Sequence, residues 1–107
     1  MKPGRELDAL IAEKVMGLDT KSNEWIVEYD CDGLHQYSVS IRDAWEVVSK
    51  LTEAYRMRLD VCETQPKYYC GISVYCGMGS VEDRATASSE TSMPHAICLA
   101  ALKAVGG

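Results

Sequence analysis

The sequence predicts a single α+β domain, an antiparallel β-sheet of four to five strands with three helices packed on it. Apolar residues recur at helical spacing in three segments, and two stretches between them alternate as β-hairpins do. The chain has 107 residues, of which 47% are apolar and 25% charged. This length and composition suit one globular domain over residues 1–107, because a chain of this size supports one hydrophobic core.

The first predicted element is an amphipathic helix. Leu7, Leu10, Ile11 and Val15 fall on one face at helical spacing. Gly17 stands where a left-handed cap would end the helix, because glycine adopts that conformation without steric cost.

A β-hairpin is predicted next. Residues 24–31 alternate in polarity, with Trp25 and Tyr29 on the more apolar face. Asp32-Gly33 follows, a dipeptide that strongly favours a two-residue hairpin turn. The return strand is predicted over residues 34–39.

A second helix is predicted to start at Ser40, whose hydroxyl is a good N-cap, and to run to about Arg56. We expect Trp45 and Tyr55 to lie in the core because they belong to its apolar stripe. That stripe comprises Ile41, Ala44, Trp45, Val48, Leu51 and Tyr55.

A second hairpin is predicted after this helix, with its turn at residues 64–67. A four-residue turn there would set Leu59 opposite Ile72 and Val61 opposite Cys70, so that both apolar sets share a face. A short fifth strand is predicted over residues 84–88.

The last predicted element is a helix from Pro94 to Val105 that is apolar almost all round. Such a helix is either central to the fold or half of a subunit contact. Because the alanine-rich helix and the many strand aromatics exceed what a small monomer easily hides, we expect a homo-oligomer.

The formal net charge of −5 argues against duplex nucleic acid as a partner, since phosphate contacts need arrays of lysine and arginine. A small phosphorylated ligand needs only a few local donors and remains compatible. No apolar run approaches 18 residues, and the first residues lack an apolar signal core, so we expect neither a membrane partner nor secretion.

The five cysteines and two histidines show no spacing typical of a metal or redox site, so we expect no metal and no cofactor. The pair His95 and Cys98 resembles a nucleophile with its base. However, Cys98 lies in an apolar run that would raise the pKa of its thiol. We therefore interpret the cysteines as mostly buried, reduced thiols and expect no enzyme activity.

The strongest candidate site is the junction between the polar segment Gly77–Ser92 and the last helix. A helix start carries backbone N–H groups without helical partners, and these bind anions. An ordinary N-cap followed by a solvated loop is the alternative interpretation. The predicted phosphate ligands are Arg84, Ser88, Ser89, Thr91, Ser92 and His95.

Aromatic residues form a second candidate group. The chain has two tryptophans, six tyrosines and no phenylalanine. Tyrosine combines a flat body with a polar tip, which suits base stacking or a subunit interface. Tyr69 and Tyr75 are predicted to face away from the main apolar set, and we predict that they contact a ligand.

Three segments, RELDALIAEKVMGL, YSVSIRDAWEVVSKL and HAICLAALKA, together resemble the phage ABA-sandwich domain family of small accessory proteins from tailed phages and prophages. They span nearly the whole chain. The resemblance implies an α/β/α layered sandwich and a phage origin. It brings no agreed catalytic residues.

These observations favour a non-catalytic phage accessory protein in the cytoplasm of the bacterial host. We expect it to bind and sequester a small nucleotide-derived signal of bacterial immunity, a cyclic nucleotide or an ADP-ribose derivative. The alternative is a protein-interaction module that inhibits a host or defence protein through an acidic surface. An enzyme is the least favoured reading, because no activated nucleophile or metal-ligand cluster is evident.

Overall fold

The structure is a computed structural model that describes residues 2–53, 55–62, 67–75 and 81–105, with side chains for all of these except 60–62, 74, 75 and 81–84. Within these ranges the fold is α+β, as predicted, but it has four helices and three strands rather than three helices and four to five strands. The elements are α1 (Arg5–Lys14), α2 (Asn23–Asp30), α3 (Ile41–Leu51), β1 (Arg56–Cys62), β2 (Lys67–Tyr75), β3 (Val81–Ser89) and α4 (Met93–Ala104).

Helix α1 confirms the first prediction. Leu7, Ile11 and Val15 are buried on one face. Gly17 adopts φ 71° just beyond the helix, and the Leu18 amide donates to the Ala12 carbonyl at 2.8 Å. The glycine is needed there because other residues rarely adopt a positive φ.

The prediction of a strand over residues 24–31 is wrong, because this segment forms helix α2. The Ser22 hydroxyl caps the helix by accepting from the Trp25 amide at 3.2 Å. Trp25 and Tyr29 lie one turn apart, as helical spacing allows, and their rings stack with centroids 5.0 Å apart. The stack and the cap together favour the helix over the alternating strand.

The predicted return strand over residues 34–39 is also wrong. Gly33 has φ 67° and ends α2, where the Leu34 amide donates to the Glu28 carbonyl at 3.0 Å. The chain then turns inward, so that Tyr37 and Ser38 are fully buried. The Ser38 amide and hydroxyl both donate to the Asp8 carboxylate of α1. This segment thus finds its hydrogen bonds in a side chain instead of a strand partner.

Helix α3 begins as predicted, with the Ser40 hydroxyl accepting from the Asp43 amide at 3.5 Å, but it ends at Leu51. The prediction that Trp45 lies in the core is wrong, because its side chain is 55% exposed. Tyr55 is half-buried against the core. Ala44, Val47, Val48 and Leu51 form the buried face, and Trp45 lies about 100° round the helix from it.

The sheet is antiparallel with strand order β1-β2-β3. The predicted hairpin of β1 and β2 is present, but its register differs from the prediction. Leu59 pairs with Cys70 rather than Ile72, and Val61 pairs with Tyr68. The shift is by two residues, so the side chains keep their predicted faces, since strand side chains alternate with period two. The predicted turn at 64–67 lies mostly outside the described residues.

Strand β3 extends the predicted fifth strand over Val81–Ser89, so the polar connection before α4 is short. Ala85 pairs with Ile72, and Asp83 pairs with the next residue of β2, Ser73. Arg84 is therefore the extra residue of a β-bulge. Residues 77–80 of the predicted polar segment lie outside the described ranges.

Helix α4 is the centre of the fold, as one of the two interpretations of its sequence predicted. It packs on β2 and β3 and also contacts α1 and α3. Because it is enclosed by these elements, nearly all of its residues are buried. Among the described helices, none is long and apolar enough to cross a membrane.

Among the described residues, the helices lie on one face of the sheet, and the expected α/β/α layering is not seen there. The helices cover the face of the sheet that carries Cys70, Ile72 and Ala87, all buried. The opposite face carries the exposed Tyr69 and Ser88, and we call it the open sheet face. Its other members with described side chains are Arg56, Arg58, Gly71, Ser73 and Thr86, and the register also places Asp60, the β1 partner of Tyr69, on this face.

Candidate functional site

The junction before α4 brings together four of the predicted ligand residues, Ser89, Thr91, Ser92 and His95. The Ser89 hydroxyl oxygen accepts from the amides of Thr91 at 3.0 Å and Ser92 at 3.4 Å. The Ser92 hydroxyl accepts from the His95 amide at 3.3 Å and so caps the helix. These donors of the helix start are therefore already paired within the chain.

Ser89 and His95 also form a hydroxyl–imidazole pair. Ser89 Oγ lies 2.7 Å from His95 Nδ1, and because this oxygen already accepts two amides, its proton is directed at the ring nitrogen. The Ser89 side chain is 5% exposed and that of His95 is 9% exposed. Because both side chains are buried and hydrogen-bonded, this pair stabilises the loop before α4. The amide cradle inferred from the sequence is closed in this conformation.

The open sheet face holds two other predicted residues, Tyr69 and Ser88, as direct cross-strand neighbours. The Tyr69 ring lies against Gly71, where an added Cβ would be 3.4 Å from its Cε1 atom. Arg58 and Thr86 flank Gly71 on the neighbouring strands. The face thus presents an aromatic ring, a guanidinium group and hydroxyls on one surface, a combination that suits base stacking and phosphate contacts.

Tyr75 lies at the end of β2 and Arg84 lies on β3, two of the strands that form the sheet. The side chains of both residues are outside the described part of the structure. The backbone places Arg84 in the bulge of β3 and pairs Tyr75 with Val81. Their proposed contacts with a ligand stay predictions. Bulges redirect side chains and are frequent beside functional sites.

A second site, which the sequence analysis missed, is a cavity of about 330 Å³ beside α2. The polar and aromatic side chains of its wall come from α2 and from the segments before and after it. We call it the α2 cavity. Its lining residues are Leu18, Asp19, Ser22, Glu24, Trp25, Glu28 and His35.

His35 is held firmly in the wall of the α2 cavity. Its Nε2 atom is hydrogen-bonded to the Glu28 carboxylate and its Nδ1 atom lies 3.1 Å from the Tyr37 hydroxyl. The ring stacks on Trp25 with centroids 6.0 Å apart. Burial raises the pKa of Tyr37, with Glu46 and Asp43 adding to the effect, so its hydroxyl stays a proton donor at neutral pH. His35 also has φ 62°, a left-handed conformation that non-glycine residues rarely adopt.

The sequence pattern does not predict the α2 cavity, because Glu24, Trp25, Glu28 and His35 fall in the predicted hairpin. In a strand, Trp25 and Glu28 would face opposite sides of the sheet, whereas on a helix they are one turn apart. Ser22 followed by a helical pair of aromatics was the signal for a helix start.

The comparisons with known proteins identify the family. The family model described as the phage ABA sandwich domain matches residues 9–102. The chain belongs to the phage ABA sandwich domain family. This confirms the resemblance seen in the three helical segments.

A solved structure is similar to this phage ABA sandwich protein over almost its full length. It is a phage protein from Bacillus cereus ATCC 14579 with a crystal structure at 2.0 Å. The two chains share 32% identity with a TM-score of 0.69, and the match covers 98% of this chain and 93% of the other. Among curated proteins, none matches the chain.

Proposed function

We propose that this phage protein binds and sequesters a small nucleotide-derived signal of bacterial immunity, such as a cyclic nucleotide or an ADP-ribose derivative, without converting it. Binding takes place in the cytoplasm of the bacterial host. Sequestration needs affinity and a protein present in excess of the signal, and it needs no catalytic group.

The observation that carries this proposal is the composition of the open sheet face. Tyr69 offers a ring for stacking, which contributes roughly 1–3 kcal/mol per base in other proteins. Arg58 and Arg56 lie on the adjacent strand of the same face and are exposed. Their guanidinium groups match the geometry of phosphate oxygens. Ser88 adds a hydroxyl directly opposite Tyr69.

This location differs from the amide cradle that the sequence suggested. Because the amides of Thr91, Ser92 and His95 have partners, an anion would have to displace Ser89 or Ser92 to reach them. Ser88 and Tyr69 are predicted ligand residues from the sequence and also lie on the open sheet face. Arg84 is the bulge residue of β3, one of the strands of this sheet.

A thermal-shift panel tests the proposal. Cyclic dinucleotides, cyclic trinucleotides and cyclic ADP-ribose derivatives are added one at a time to the intact protein. A ligand at 100 times its Kd stabilises the fold by about 2.7 kcal/mol, which corresponds to several degrees in Tm. The ligand is then released by heat and analysed by mass spectrometry, where we expect it to be chemically unchanged. A panel that leaves Tm unmoved, or a ligand returned as a product, contradicts the proposal.

Variants locate the site. Tyr69→Ala is expected to weaken the stabilising nucleotide roughly 10- to 100-fold, whereas Tyr69→Phe keeps the stacking ring and most of the affinity. Arg58→Ala should also weaken binding. Lys50→Ala is its control, because it removes one exposed positive charge on α3, away from the open sheet face. Equal effects of Arg58→Ala and Lys50→Ala would place the ligand elsewhere.

Exposed apolar side chains on α3 and just before it favour a second candidate function, inhibition of a host or defence protein. Val39, Ile41 and Trp45 are 54%, 56% and 55% exposed, and Ile41 and Trp45 lie one turn apart. Tryptophan is enriched at the centres of protein interfaces. A stoichiometric partner that is lost with Trp45→Gln and retained with Tyr69→Ala would support this function over nucleotide binding.

A further inference from the structure

We infer that β1 is the edge at which two copies of this chain associate. The β1 strand of a second copy pairs antiparallel with the first, so that the two three-stranded sheets become one six-stranded sheet. This contact gives the homo-oligomer predicted from the sequence a definite interface. The inference does not depend on the nucleotide proposal, since it concerns the protein without a ligand.

The two edges of the sheet differ in how well they are protected. On β3, the chain bulges at Arg84, and Lys103 Nζ donates to the Thr86 carbonyl at 2.9 Å. Bulges and lysine side chains are two devices that keep an edge strand from pairing with another chain. By contrast, β1 pairs with β2 without a register shift and contains no proline. In the described part of the chain, no strand lies on its outer side, so β1 offers a regular row of backbone donors and acceptors.

The apolar side chains of β1 are incompletely covered within one copy. Met57 and Leu59 face the helices but are only partly buried, whereas Cys70 and Ile72 of the central strand β2 are buried. A second β1 strand sets further apolar side chains beside Met57 and Leu59 on the same face. Burial of the remaining apolar surface favours association.

The charge pattern of β1 is complementary to a second copy of the same strand. A two-fold axis at Leu59 sets residue 58 of each copy opposite residue 60 of the other. Arg58 then lies directly opposite Asp60 of the second copy, and this pair occurs twice. On the helix side, Leu59 lies opposite its own equivalent, and Met57 lies opposite Val61. An axis at Arg58 would instead set two arginines against each other, which is destabilising.

This arrangement leaves the open sheet face accessible in both copies. Because residues directly opposite each other in an antiparallel pair share a face, the helices of both copies cover the same side of the six-stranded sheet. The two open sheet faces are therefore continuous. A guanidinium group has five N–H donors, so Arg58 can pair with a carboxylate and also contact a phosphate.

The oligomeric state of the intact protein tests the inference. Light scattering at about 100 µM protein in reducing buffer, which prevents a disulfide through the exposed Cys31, is expected to give twice the chain mass of 11.8 kDa. Arg58→Asp sets like charges opposite each other at both pairs and should weaken dimerisation at least about tenfold. Lys21→Asp makes the same change of charge at an exposed position before α2 and should have no such effect.

Exchange of the charges shows whether residues 58 and 60 face each other across the two-fold axis. Asp60→Arg should also weaken dimerisation, because Arg58 then faces an arginine of the second copy. An equal mixture of the Arg58→Asp and Asp60→Arg proteins is expected to form a heterodimer, in which both pairs are again opposite in sign. The double variant with both changes should dimerise by itself. Since a misfolded variant is not restored by a second copy, these rescues separate a lost contact from a lost fold.

Three results would overturn the inference. The parent protein could have the mass of a single chain at about 100 µM. A dimer could be abolished by Trp45→Gln and unaffected by Arg58→Asp, which would place the contact at the exposed apolar side chains of α3. Both charge variants could be monomeric and stay so when mixed and in the double variant, which would show that residues 58 and 60 do not face each other between copies.

Discussion

Asp8 shows how a single buried residue holds three segments together. Its side chain is fully buried in α1. One carboxylate oxygen accepts from the Ser38 amide at 2.8 Å and the Ser38 hydroxyl at 2.6 Å, and the other accepts from the Tyr29 hydroxyl. Hydrogen bonds to a charged acceptor are about twice as strong as neutral ones. Asp8 therefore connects α1 to α2 and to the segment that the sequence analysis took for a strand.

Replacement of Asp8 is the prediction at this scale. Asp8→Ala leaves the Ser38 amide and the Tyr29 hydroxyl without their acceptor and should lower the free energy of unfolding by roughly 3–5 kcal/mol. Asp8→Asn keeps one acceptor oxygen and should cost about 1–2 kcal/mol. Urea unfolding measures both. Glu6→Gln, an exposed change on the same helix, is the control and should stay within about 0.5 kcal/mol. Equal stability of the alanine and parent proteins would show that the network is unimportant.

At the scale of elements, the sequence predicts a segment correctly where a single periodic pattern dominates it. Helix α1 has apolar residues at a single helical spacing and a glycine at its end, and α4 is apolar all round behind a Ser-Met-Pro start. The β1–β2 hairpin was found because its faces are distinct. Its register was not fixed by the pattern, since a shift of two residues keeps every side chain on its face.

The strand prediction for residues 24–31 is wrong because the apolar residues of this segment fit the strand period of two and the helix period of 3.6 equally well. Trp25 and Tyr29 share a face in a strand and also in a helix, where they are four residues apart. The helix is selected by the local Ser22 cap and by two tertiary contacts, the Tyr29 bond to Asp8 and the stacking of His35 on Trp25. The Ser22 cap is a local signal of the helix start, whereas the α2 cavity could not be derived from local sequence, because His35 lies beyond the end of α2.

The capping residue Ser22 gives a prediction for α2. Ser22→Ala removes the acceptor of the Trp25 amide and should reduce stability by about 1 kcal/mol, as N-cap substitutions do. The loss should be accompanied by a change of the backbone chemical shifts over residues 23–30. Ser49→Ala in the exposed part of α3 is the matched control and should have little effect. Extended-chain chemical shifts over 23–30 in the parent protein would contradict the helix.

At the scale of the whole molecule, the fold separates two surfaces by chemistry. The helical side carries most of the acidic residues, among them the carboxylates of the α2 cavity, whereas the open sheet face carries Arg56 and Arg58 beside a single β1 carboxylate, Asp60. A chain with a formal net charge of −5 can in this way still present two arginines to an anion on one side. Net charge taken from the sequence could not reveal this separation, because it depends on which strand residues face away from α4.

The core enclosed by this arrangement contains groups that resist ionisation, and it makes global stability depend on pH. Burial raises the pKa of the Cys70 thiol to about 12. Burial also raises the pKa of Cys98, to which the nearby Asp8 and Cys70 contribute, and that of Tyr37. In the unfolded chain these groups ionise near 9 for cysteine and 10 for tyrosine. The unfolded state therefore loses protons first as pH rises.

We expect the free energy of unfolding to fall as pH rises above about 9, because there the unfolded chain binds fewer protons than the folded one. Each group with a raised pKa contributes its full stabilisation while the pH is below the pKa that it has in the unfolded chain. The stabilisation then falls by about 1.4 kcal/mol per pH unit per group until the pH reaches the pKa of that group in the folded protein. Urea unfolding between pH 7 and about 10.5 in reducing buffer measures this slope. Cys98→Ala removes one raised group from a helix already rich in alanine and should flatten the slope, whereas Cys31→Ala, at an exposed cysteine, should not. A stability that is constant or rises over this range would mean that the thiols and Tyr37 are accessible to water, and the central position of α4 would then be wrong.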